Sequence, residues 1–129
     1  MSHSTRIRWG LALLGGVLAE AGIFAVMPIA LQFGSQAPLY VIPPTCVVMT
    51  FAFGYWVGRR AGSRFILHGT LVGVVAALIY IGLTLGRTLP WAYVVSHFLK
   101  VLGGMAGGFV ARRQLQRRES TNIETSAMV

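Results

Sequence analysis

The stretch from Trp91 to Ala111, WAYVVSHFLKVLGGMAGGFVA, decides the fold. It carries one charge, Lys100, and is followed at once by Arg112 and Arg113. Its length matches the ~20 apolar residues that a helix needs to cross the hydrocarbon core of a bilayer. Residues three and four apart share a helix face. On that rule Tyr93, Ser96, His97, Lys100, Gly103, Gly104, Gly107, Gly108 and Ala111 form one stripe, and Val94, Val95, Phe98, Leu102, Met105 and Phe109 form the opposite one. The bulky stripe suits lipid. The small and polar stripe suits another helix, because glycine lets backbones approach closely. Lys100 is therefore directed at protein.

Three more runs of this kind precede it. Together they span about Trp9–Phe33, Leu39–Gly58, Phe65–Gly86 and Trp91–Ala111. The links between them are short, which makes consecutive helices antiparallel neighbours. The expected fold is all-α: an integral membrane, up-down four-helix transmembrane bundle over residues 1–113. A polar cytoplasmic tail over 114–129 is expected to fray. Composition agrees. Of 129 residues, 55% are hydrophobic and only 11% are charged. A soluble domain carries roughly a quarter charged residues, so an ordinary soluble enzyme and a disordered chain are both excluded.

Arginines set the expected orientation. Arg6, Arg8, Arg59, Arg60, Arg64, Arg112, Arg113, Arg117 and Arg118 fall on one side, and Arg87 falls alone on the other. The positive-inside rule then puts both termini in the cytoplasm of a multi-pass cell-membrane protein, of the bacterial inner-membrane type. The net charge of +8 reads as topology signal and as contact with anionic lipid head groups. No basic face with interleaved aromatics lies outside the apolar runs, so nucleic acid is not an expected partner. Trp9, Tyr40, Tyr55, Trp56 and Trp91 stand near run ends as interfacial anchors.

Two local features complicate the runs. Ala19-Glu20-Ala21 mimics a signal-peptide cleavage site, but the apolar run continues a dozen residues beyond it, which reads as a spanning helix. Pro43-Pro44 removes two backbone donors. Either the second helix kinks there, or its outer part is unwound and shielded by protein. Pro28 makes a similar break in the first run. The prolines either flank a shallow outward-facing cavity or are helix-end irregularities.

Glu20 and Lys100 are the informative pair, because a charge near the bilayer midplane is costly. Glu20 follows Arg8 by twelve residues and Lys100 precedes Arg112 by twelve. Both lie ~18 Å deep at 1.5 Å per residue, so an ion pair between the first and fourth helices is expected. Tight packing of Gly16 and the glycine stripe would support it. Overlapping Gly103-x-x-x-Gly107 and Gly104-x-x-x-Gly108 motifs recur as Gly69-x-x-x-Gly73 in the third run. The pair reads as a static register-setting contact or as a coupling site for a proton or cation, with His97 one turn from Lys100 as a relay. Lys100 meeting an acid on another protein is the third option. His68 lies near the cytoplasmic interface, ~16 Å from the depth of His97, which argues against one shared haem iron. His3 is expected to be solvated. Cys46, the single cysteine, reads as a small buried hydrophobe.

Two resemblances rest on quoted residues. Gly54-Tyr55-Trp56-Val57-Gly58-Arg59-Arg60-Ala61-Gly62-Ser63-Arg64, with Leu67-His68-Gly69 and Leu71-Val72-Gly73, resembles a short-loop pattern of uncharacterised bacterial four-helix membrane proteins. Gly15-Gly16-Val17-Leu18-Ala19-Glu20 resembles part of the first helix of the small multidrug resistance exporters. That resemblance implies a proton- and cation-binding role for Glu20. The chain departs from those exporters in carrying Lys100 and a strong charge bias.

No P-loop, nucleophile triad, zinc spacing or HExxH occurs, so neither enzyme activity nor a metal or cofactor is expected. The expected role is a non-enzymatic accessory or structural subunit, working as a homo-oligomer or with a membrane-protein partner. A small transporter or channel using Glu20, His97 and Lys100 is the alternative.

Overall fold

Each apolar run forms one helix in the computed structural model of the chain, which describes residues 6–85, 87–88 and 90–129. The helices are α1 (Trp9–Leu31), α2 (Ala37–Ala61), α3 (Phe65–Leu83) and α4 (Trp91–Ala127). All four are long and apolar enough to cross a membrane. His3, Leu89 in the last link and the expected end of the third run at Gly86 lie outside the described residues.

The boundaries differ from the expected ones for identifiable reasons. α1 stops at Leu31, not Phe33, because the amides of Gln32, Phe33 and Gly34 turn to carbonyls three residues back, and Gly34 takes φ +121°. Such tightened turns are common at helix ends. α2 starts at Ala37 with Pro38 in its first turn, where a missing N–H costs nothing. It ends at Ala61 because Gly62 adopts the left-handed cap, φ 72°. α2 is helical straight through Pro43 and Pro44, and α1 through Pro28, so the unwound outer segment does not occur. The largest difference is α4, which continues to Ala127. The expected fraying tail is helical over 114–127. That segment has no Gly or Pro and is rich in Arg, Gln and Glu, which favour helix. Ser120, Thr121 and Thr125 donate their hydroxyls to carbonyls one turn back.

Glycines set how the helices pack. A Cβ on Gly103 would strike Thr50 and Val47 of α2, and one on Gly107 would strike Phe51 and Tyr55 of α2. A Cβ on Gly104 would strike Gly69 and Gly73 of α3, and one on Gly108 would strike Phe65 and Ile66 of α3. The two overlapping glycine ridges thus face two different helices, and α4 wedges into the groove between α2 and α3. These contacts run in the same direction along α2 and in the opposite direction along α3. The bundle is up-down, with α2 parallel to α4.

α1 fills the groove on the other side. A Cβ on Gly15 would meet Val57 of α2 and Val72 of α3, and one on Gly16 would meet Val75 and the Val72 carbonyl. Among the described residues, no Cα of α1 lies within 8 Å of one of α4. The expectation that α1 packs tightly on α4 is therefore corrected. Gly16 and the α4 glycines serve α2 and α3, because a wedge between two helices uses both of its ridges.

Ala19, Val57, Val72 and Ala76 form one buried cluster, and Ile23, Ile42 and Cys46 form another. Outward, Val94, Val95, Phe98, Leu102, Met105 and Phe109 are exposed. A contiguous apolar face of this kind is foreign to a water-facing surface.

Candidate functional site

Glu20 of α1 and Lys100 of α4 meet in the interior. Lys100 Nζ donates to Glu20 Oε2 at 2.7 Å, and both side chains are 2% exposed. Since no Cα of α1 comes within 8 Å of one of α4 among the described residues, the side chains span the gap. Four methylenes from lysine and two from glutamate supply the reach. The glycines around Lys100 let its helix sink far enough for this. Gly73 of α3 would place a Cβ against the Lys100 carbonyl and 2.7 Å from Val101 Cα.

One aromatic ring flanks the ammonium, and others pack against that ring. Lys100 Nζ stands 4.9 Å from the centroid of the Tyr80 ring, a cation–π distance. Tyr80 is stacked with Phe24 and with Tyr93, each at 6.0 Å. The His97 ring lies 5.1 Å from Tyr80 at a tilt of 53°. His97, Lys100 and Glu20 thus line one small cavity of about 10 Å³, to which all four helices contribute. Within it Glu20 Oε1 and both ring nitrogens of His97 are buried without a protein hydrogen-bond partner. Ser96 is occupied, donating to the Ala92 carbonyl at 2.8 Å. Cys46 also lines the cavity.

His68 has a role that sequence reasoning missed. It is fully buried at the arginine-rich end of the bundle. Its Nε2 accepts the backbone N–H of Arg8 at 3.0 Å. Its Nδ1 faces the Arg64 carbonyl at 3.0 Å, so Nδ1 carries the proton and the ring is the neutral Nδ1–H tautomer. Arg8 is the residue before α1, and its amide is one that the helix leaves unpaired. A histidine sixty positions away supplies the cap. The same bond holds Arg64, whose φ of +47° is unusual for a residue with a side chain. No local pattern signals such a contact.

The arginine-rich end is organised by aromatics. Arg60 lies over Trp56 at 4.9 Å and Arg113 over Phe109 at 4.7 Å. Arg8 donates to the Arg60 carbonyl at 3.2 Å. Tyr55 donates its hydroxyl to Gln114 Oε1, tying α2 to the extension of α4. In the Arg60–Trp56 and Arg113–Phe109 pairs the guanidinium group itself lies on the ring face, a cation–π arrangement. His68 sits among these groups near the start of α3, whereas His97 of α4 packs against Tyr80 near the end of α3. The two histidines are not brought together.

No family model matches the chain, and no curated protein or solved structure matches it either.

Proposed function

We propose that the chain is a multi-pass protein of the bacterial inner membrane with both termini cytoplasmic, acting without catalysis as an accessory or structural subunit. The observation that carries this is the Glu20–Lys100 pair. Each charge is neutralised by the other across helices that have no backbone contact, which suits a register-setting tie. The orientation is supported by Arg8, Arg59, Arg60, Arg64, Arg112 and Arg113, gathered at one end of the bundle, with Arg87 at the other. Anionic head groups are the natural counter-charges for that belt.

The glycine ridges are consumed inside the chain, so a protein partner or second copy would meet other surfaces. The extension of α4 beyond Ala111 is the first of these. At 1.5 Å per residue the whole helix is about 55 Å long, well beyond a ~30 Å hydrocarbon core. The intact mass of the complex, extracted from its own membrane in mild detergent, tests the reading. A stoichiometric foreign partner is expected. A homo-oligomer alone overturns the accessory role.

A second reading, a small proton- or cation-coupled transporter or channel, is favoured by Glu20 Oε1 and the His97 nitrogens, which lack protein partners in one cavity. Proton-coupled flux in liposomes that is lost in Glu20→Gln would establish it.

A further inference from the structure

We infer that a single water molecule binds in the cavity between Glu20 and His97, joining the imidazole to the free oxygen of the carboxylate. This rests on the ion-pair reading above, since Oε1 is free only while Oε2 holds Lys100.

Three observations converge on that ligand. First, two side chains from different helices line one space, and each carries buried polar atoms without a protein partner. Buried polar groups are hydrogen-bonded in the great majority of cases. An ionised carboxylate offers only acceptors, and a neutral imidazole offers one donor and one acceptor. Water can donate to Glu20 Oε1 and accept the ring N–H of His97. Second, the volume of about 10 Å³ is close to the lower bound for one water. An organic cation or a hydrated metal ion does not fit. Third, the walls are mostly apolar, with Ile23, Met27 and Ile42 among them. An apolar cavity stays dry unless polar groups hold the water, and Glu20, His97 and Lys100 are the groups that line this one.

The consequence is chemical. Glu20, otherwise committed to Lys100, becomes connected through one water to an imidazole, a ring that can both donate and accept a hydrogen bond. His97 is then a positioning residue for that water.

Magic-angle-spinning NMR of the whole chain in lipid bilayers tests this on the unaltered protein. Polarisation from water should reach the Glu20 carboxyl carbon and the His97 ring nitrogens several-fold faster than the side chains of Val57, Val72 and Ala76. Equal, slow build-up at all of them overturns the water assignment. The same sample reports the dipolar coupling between Lys100 Nζ and the Glu20 carboxyl carbon. A dry site with that coupling intact removes the water and leaves the ion pair standing. Loss of the coupling removes both. In His97→Phe, Glu20 should lose its fast transfer. A Glu20 that stays equally wet overturns the role of His97.

Discussion

Lys100 reaches Glu20 across a gap that their own helices do not close. The two side chains form a 2.7 Å ion pair, yet the backbones of α1 and α4 stay more than 8 Å apart at every Cα among the described residues. The contact depends on side-chain length as well as charge, and that dependence can be tested.

Removing one partner strands a buried charge. Glu20→Gln or Lys100→Met should each cost about 3–5 kcal/mol. The double variant should cost clearly less than the sum, and less than the worse single change. Unfolding titrations with a denaturing detergent measure all three. A double variant no better than the worse single one would refute the pairing. Glu20→Asp keeps the charge but loses a methylene, and should behave like a broken pair.

Helix packing should discriminate sharply among glycines. Gly73→Ala would push a methyl into the Lys100 carbonyl and Val101 Cα, and Gly69→Ala into the backbone of Gly104 and Gly108. Backbone cannot step aside cheaply, so losses of about 1–3 kcal/mol or more are expected. Gly10→Ala and Gly82→Ala meet nothing within 4 Å. Both sit in helices, where alanine gains up to ~1 kcal/mol over glycine. Equal effects at the two classes of site would contradict the wedge arrangement.

His68 should read as the Nδ1–H tautomer, with Nε2 unprotonated, in nitrogen chemical shifts. His68→Phe would leave the Arg8 amide without an acceptor, at a cost of about 1–3 kcal/mol. Hydrogen exchange at the Arg8 amide should accelerate selectively in that variant. Unchanged exchange would show that the contact does not hold the start of α1.

Sidedness can be read with cysteines placed in a Cys46→Ser background. Ser35 is in the α1–α2 link, Ser63 in the α2–α3 link and Ser126 near the end of α4. An impermeant maleimide on intact cells should label Ser35→Cys only. Ser63→Cys and Ser126→Cys should react after the membrane is opened. The reverse pattern would overturn the proposed orientation.

Much of the architecture was legible because helices apolar enough to cross a bilayer follow a coarse rule. A spanning helix needs about 20 apolar residues, and charged residues mark its ends. Arg8, Arg59 and Arg112 delimit runs that any reader can find. Equal depths of Glu20 and Lys100 followed from counting alone, since helix rise is constant. Boundaries were less legible. The helical extension of α4 lies outside the apolar pattern, so only its lack of Gly and Pro and its helix-favouring Arg, Gln and Glu spoke for it.

The sequence by itself determined the number of helices, their rough extents, which face of α4 is small and polar, and the position of Lys100 on that face. These are properties of one helix at a time, and they depend on local spacing. Tertiary structure decided which helices those faces meet. Gly103 and Gly107 choose α2 while Gly104 and Gly108 choose α3, because one residue turns a helix by about 100° and a wedge has two flanks. It also decided that α1 stands opposite α4, that His68 caps Arg8 and that His97 shares a cavity with Glu20. Those facts join residues sixty to eighty positions apart, and no local periodicity encodes a contact whose partners are set only when four helices close on one another.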